Sequence, residues 1–194
     1  MADTAPLKLP KTIVLVGLMG AGKTAIGKRL AQRLALDFVD ADKEIETAAG
    51  CSIAEIFARH GEPSFRDGER RVILRLLENP VHVLSTGGGA FMDPETRARI
   101  GERGISIWLR ADLDLMLKRV SRRTDRPLLQ VADPKSKLQE LMAQRYPVYG
   151  LANITVDSVD APPEVTVERV YEGLAAFLEK RPPSPLESKE RAAS

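Results

Sequence analysis

The segment Gly17-Leu-Met-Gly-Ala-Gly-Lys23-Thr24 constrains this chain more than any other, because it follows the apolar run Thr12-Ile-Val-Leu-Val16 without a break. The spelling is G-x-x-x-x-G-K-[ST], and its context supplies the mechanism. A short apolar run ending in glycine reads as a buried strand. The pattern after it, from Lys23 to about Leu34, places Ile26, Leu30 and Leu34 at helical spacing. Between a strand and a helix, glycines let several backbone N–H groups point at one anion, and the helix N-terminus adds its positive dipole end. Gly20, Ala21, Gly22, Lys23, Thr24 and Ala25 are therefore candidates for holding a nucleoside triphosphate, ATP in the simplest case. Lys23 has the reach for its β- and γ-phosphates, and the Thr24 hydroxyl suits Mg2+. The loop alone does not separate a kinase from a nucleotide switch or a motor.

The rest of the chain repeats the alternation. Strands are predicted at 38–40, 81–86, 105–109 and 153–157. Helices are predicted from the Ser52–Glu55 capping box to about His60, over 64–79, from Asp93-Pro94, from Asp112 to about Arg123, from Asp133-Pro134 to about Tyr146, and over 163–180. Strand–helix alternation predicts an α/β three-layer sandwich of the P-loop NTPase kind, a five-stranded parallel sheet with helices on both faces. Ligands in such sheets bind beyond the carboxyl ends of the strands.

A length of 194 residues fits one domain, expected over 12–180, with a flexible arm at 1–11 and a disordered tail at 181–194. Lys and Arg number 29 against 27 Asp and Glu, and that balance argues against a dedicated nucleic-acid binder. Cys51 is the single cysteine, so no internal disulfide forms and a reducing compartment is the simple reading. No apolar run reaches the ~20 residues of a membrane span, and no signal peptide is visible. A cytoplasmic monomer is expected, bound to no membrane.

Several features surround the mouth of the loop. Asp40-Ala-Asp42 ends the second strand. If the strand persists, alternation puts both carboxylates on one face, one for water on Mg2+ and one as proton acceptor. A solvated strand end is the other reading. Thr86-Gly87-Gly88-Gly89 ends the third strand, either as a backbone a ligand can touch or as a plain turn. Arg66 and Arg145 form a carboxylate clamp if they converge; taken singly, each is more readily a surface arginine. Arg126, between two helical patterns, sits in a polar, basic segment at 122–133 that reads as a lid carrying an arginine onto phosphates. His60, His82 and Trp108 read as solvent or packing residues, Cys51 as inert, and Glu69 as an ion-pair partner for Arg66.

Together these pieces resemble the shikimate kinase family over about residues 12–175. The resemblance rests on Gly17 to Thr24, Phe38-Val-Asp-Ala-Asp42, Gly61-Glu-Pro-Ser-Phe-Arg66, Ser85-Thr-Gly-Gly-Gly89, Arg126-Pro-Leu-Leu129 and Arg145-Tyr-Pro-Val-Tyr149. It implies a nucleoside-monophosphate-kinase-like fold and transfer of the ATP γ-phosphoryl group to the 3-hydroxyl of shikimate, a step toward chorismate and aromatic amino acids. By position it implies Asp42 as base and substrate ligand. Arg66, Gly87, Gly88, Gly89 and Arg145 are implied on shikimate, with the two arginines on its carboxylate. Thr24 falls on Mg2+, and Asp40 on the metal through water. Lys23 and Arg126 fall on the phosphates, and Arg123 and Pro163 beside the adenine. Where some members carry an arginine in the adenine loop, this chain has Asp160 and Ala161. The rivals are a gluconate-type kinase on the same fold and a slow nucleotide switch; the N-K-x-D element of guanine-specific switches is absent from the sequence.

Overall fold

A computed structural model describes residues 7–121 and 133–180. Of the segments singled out above, the tail, residues 1–6 of the arm and the lid up to residue 132, Arg123 and Arg126 included, lie outside these. Five strands form one parallel sheet in the order β2-β3-β1-β4-β5: β1 (Thr12–Val16), β2 (Phe38–Asp40), β3 (Val83–Ser85), β4 (Gly104–Arg110) and β5 (Ile154–Asp157). Seven α-helices accompany them among the described residues: α1 (Lys23–Leu34), α2 (Ala41–Ala49), α3 (Ile53–Leu77), α4 (Pro94–Arg103), α5 (Leu113–Val120), α6 (Pro134–Tyr149) and α7 (Pro163–Glu179).

Every residue of β1 is buried, as a central strand covered on both faces requires. Its register pairs Ile13 with Val83 on one side and with Ile105 on the other. The order changes direction at β1, so β2 and β3 lie to one side and β4 and β5 to the other. That switch point opens a crevice at the carboxyl ends of the strands, and the segments that follow β1, β2 and β3 bring candidate site residues there. Trp108 on β4 is 5% exposed and belongs to the core, as expected. His82 is buried too, with Nδ1 within 2.8 Å of the Pro80 carbonyl. Leu7 and Leu9, within the expected arm, pack against the core.

Three element readings change. Residues 41–49 form a helix that the sequence reading did not contain, so Asp42 stands in the first turn of α2 rather than on β2. Asp40 caps that helix, accepting a hydrogen bond from the Asp42 N–H at 3.2 Å. The two helices expected at 52–60 and 64–79 run on as α3 across a break at Gly61, whose φ of 74° no α-helical residue adopts. The third strand is shorter than expected, Val83–Ser85 in place of 81–86. Capping is otherwise as read: Ser52 and Glu55 close a capping box, and Asp93, Asp112 and Asp133 each accept a backbone N–H.

Candidate active site

The loop after β1 curls as the sequence predicts. Gly17 has φ +140°, and a Cβ there would stand 2.8 Å from the Leu109 carbonyl oxygen, so only glycine fits without moving β4. Gly22 closes the loop in the left-handed region and caps α1. The half-buried Lys23 ammonium donates to the carbonyls of Gly17 at 2.8 Å and Leu18 at 2.9 Å, spanning the loop that it terminates. Next to it, Thr24 Oγ1 donates to Asp40 Oδ2 at 3.1 Å. The tip of β2 thus meets the first turn of α1.

A cleft of about 470 Å³ opens over this loop. Its floor includes Gly20, Lys23, Thr24, Ala25, Asp40, Asp42, Gly87 and Gly88, and one wall includes Lys118, Arg119, Asp160, Ala161 and Pro163. Asp40 and Asp42 therefore face one cleft as expected, but the strand-to-helix junction puts them there and not strand alternation. At Gly87 an added Cβ would lie 2.9 Å from Asp42 Oδ1 and 2.9 Å from Glu69 Oε1. The glycine lets two carboxylates approach the end of β3. The absence of a side chain at this position is what brings α2 and α3 onto the tract.

Arg66 sits on α3 and reaches Gly89, whose missing side chain leaves the space that its guanidinium fills. It donates to Glu69 Oε2 at 2.7 Å and to Glu62 Oε1 at 3.2 Å. Glu69 is only 3% exposed, and a carboxylate that deeply buried requires a partner. Burial raises its pKa, opposed by hydrogen bonding and charge from Arg66. On Arg66 burial works against the charge, yet Glu69 and then Glu62 raise its pKa above the ordinary arginine value. The pair anticipated from the sequence is thus present, and it keeps the guanidinium beside the glycine tract. The Phe65 ring lies under Arg66 and stacks on Phe57 at 4.7 Å between centroids.

Arg145 arrives from α6 on the other side and donates to the Gly88 carbonyl at 3.0 Å. The structure therefore brings Asp42, Arg66, Gly87, Gly88, Gly89 and Arg145 to one place, beside Lys23 and Thr24. Two residues escaped the sequence reading. Arg119 on α5 donates to Ser158 Oγ at 2.8 Å, to the Val159 carbonyl at 3.0 Å and to the Ala21 carbonyl at 3.2 Å. Burial lowers its pKa, with Asp160 and then Asp112 pulling the other way. The available signal was spacing: Arg119 lies three and four residues beyond the buried Met116 and Leu115, so it falls on the inward face of α5. The other is Tyr149, fully buried, whose phenol donates to the Gly88 carbonyl.

The donor set for a metal is all oxygen, Thr24 Oγ1 and the Asp40 carboxylate. No cluster of three or more His, Cys, Asp or Glu side chains suited to a metal occurs among the described residues. A hard ion that keeps waters and takes substrate phosphates, as Mg2+ does, fits such a site. Among the described residues no helix is long and apolar enough to cross a membrane.

Comparison with known proteins agrees with this geometry. The family model described as shikimate kinase matches residues 19–175. A shikimate kinase of Paramagnetospirillum magneticum is 57% identical over 182 residues, covering 92% of this chain and 93% of the relative. One of Caulobacter vibrioides is 57% identical over 172 residues, covering 89% and 86%. Among solved structures, shikimate kinase from Acinetobacter baumannii in complex with shikimate superposes with a TM-score of 0.81 at 37% identity, covering 86% of this chain and 93% of that one. A gluconokinase from Sinorhizobium meliloti shares the fold at a TM-score of 0.64 and 20% identity.

Proposed function

We propose that this chain, which belongs to the shikimate kinase family, transfers the γ-phosphoryl group of ATP to the 3-hydroxyl of shikimate in the cleft above its P-loop. Membership makes it an ATP-dependent phosphotransferase of the shikimate pathway toward aromatic amino acids. The roles of the individual residues are our reading of the geometry.

The observation that carries the reading is the convergence of Asp42, Arg66 and Arg145 on Gly87–Gly89 beside Lys23. The triphosphate lies along the loop from Gly20 to Ala25, with Lys23 leaving its two carbonyl partners for the β- and γ-phosphates. Mg2+, held by Thr24 directly and by Asp40 through water, would neutralise charge on the phosphate oxygens. The base lies between Arg119 and the loop from Asp160 to Pro163. Arg123 and Arg126 keep the parts implied by the family motifs, beside the adenine and on the phosphates. Shikimate presents its carboxylate to Arg66 and Arg145 and its ring to the glycine tract.

Asp42 accepts the proton of the attacking hydroxyl. The new bond joins that oxygen to the γ-phosphorus, the bond to the β,γ-bridging oxygen breaks, and ADP departs. Little covalent chemistry falls to the protein, so positioning and electrostatics carry the rate.

A coupled ADP-release assay with shikimate, gluconate and nucleoside monophosphates tests the assignment. Turnover with shikimate alone is expected, lost when Mg2+ is chelated. Fast turnover on gluconate with none on shikimate would overturn it. Within the clamp, Arg145→Ala should raise the KM for shikimate about 30-fold, on the order of the 2 kcal/mol carried by a charged hydrogen bond, with the KM for ATP nearly constant. An unchanged shikimate KM would remove Arg145 from the acceptor site.

A further inference from the structure

Among the described residues the Gly88 carbonyl has two donors, and both come from α6. Arg145 reaches it at 3.0 Å, and Tyr149, one helical turn later, donates its phenol to the same oxygen. Arg145 also lies against the Tyr149 phenol, where its charge and hydrogen bonding oppose the effect of burial, but the two differ in what holds them. Arg145 is half-buried, whereas Tyr149 is 0% exposed. The Tyr149 ring packs against Trp108 at 5.9 Å and Tyr146 at 6.3 Å between centroids. Trp108 in turn stands behind the P-loop, 3.4 Å from where a Gly17 Cβ would be. The phenol is therefore fixed by core packing on β4, independently of any ligand. Burial, the largest influence on it, pushes its pKa up to about 12, so the hydroxyl stays a donor across the working range.

If Arg145 binds the acceptor carboxylate, as proposed above, its guanidinium is drawn off the Gly88 carbonyl or shared with it. Gly88 is half-buried, and a carbonyl there that loses its donors loses their hydrogen-bond energy. Its peptide plane would otherwise be free to turn, and turning it would also swing the Gly89 N–H, which lies on the opposite edge of the same plane.

We propose that Tyr149 is a positioning residue of the acceptor site: its phenol holds the Gly88 peptide in place independently of Arg145, so that the glycine tract keeps its shape when Arg145 turns to the substrate. The inference rests on the acceptor reading of Arg145. It makes the second donor, and not the clamp alone, a determinant of shikimate affinity.

Tyr149→Phe keeps the ring and deletes only the donor. The expected result is a rise of about fivefold in the KM for shikimate, the size of one neutral hydrogen bond, with kcat and the KM for ATP within twofold. A general loosening of the fold would move all three together, and that outcome overturns the proposal. The same substitution in an Arg145→Ala background should raise the shikimate KM again by fivefold or more, because Tyr149 is then the remaining described donor on that oxygen. No further rise there would show that Tyr149 acts only through Arg145 and would also overturn it. Equilibrium binding of shikimate, followed by calorimetry, repeats the comparison without turnover. If Arg145→Ala itself leaves shikimate binding unchanged, the acceptor reading fails. If it weakens binding while Tyr149→Phe does not, only the role of Tyr149 fails.

Discussion

Asp42→Asn is expected to lower kcat by about 10³-fold, within the range that a positioned general base contributes, while the KM for ATP changes by less than a few-fold. The substitution keeps the shape of the side chain and the first turn of α2. The helix cap survives, because the bond there runs from the residue 42 N–H to Asp40 and not from the side chain. What disappears is a carboxylate that faces the cleft beside Gly87. An amide still orients a hydroxyl but does not take its proton, so the loss should fall on kcat and on kcat/KM for shikimate equally. That is the pattern of an interaction made in the transition state. Steady-state kinetics with both substrates varied measure it. A kcat within threefold of the parent enzyme would exclude Asp42 as base and leave it a substrate ligand only.

The placement of Asp42 also shows where sequence reasoning reaches its limit. The phosphate loop was legible because its mechanism is local: glycines, a lysine and a threonine act through spacing along one turn. The sheet was legible for the same reason, since β1 and β4 are short, largely apolar runs between turn residues. Helix α2 was not. Asp40 looked like the end of a strand, and the polar run from Asp42 to Thr47 hid a helix that shows only Ala41 and Ile45 to the core. The cap, the four-residue spacing and Gly50 in the left-handed region at the end are its signals in retrospect.

At the site itself, residue identity was easier to read than contact. Arg66 with Glu69 lies within one helical turn, so the pair could be anticipated. Tyr149 and the Gly88 carbonyl are 61 positions apart, and nothing in either segment announces the other. Arg119 was passed over because a basic residue on a short helix reads as surface until the neighbouring loop is seen to close on it. The family motifs supplied what spacing did not. They implied Arg145 on the acceptor carboxylate, and the structure places its guanidinium on the Gly88 carbonyl, within the tract implied for the same acceptor.

Lys23→Ala should be still more damaging in kcat/KM for ATP, with a fall of about 10³-fold or more. A single preorganised donor to developing charge is worth 10²–10³ in rate, and here the same side chain also shapes its own loop. Its ammonium donates to the carbonyls of both Gly17 and Leu18. Removing it takes a positive charge from the phosphates and loosens the cradle that presents the backbone N–H groups. The two effects separate experimentally. Lys23→Arg restores charge but not the compact reach of an ammonium, so it should recover ATP binding better than turnover. Calorimetric titration with ADP and with a non-hydrolysable ATP analogue distinguishes them further: loss of the γ-phosphate contact weakens the analogue more than ADP, whereas a collapsed loop weakens both alike. Turnover of Lys23→Ala close to that of the parent would take the P-loop lysine out of the mechanism, and with it the phosphate path beside the glycine tract on which Asp42, Arg66 and Arg145 converge.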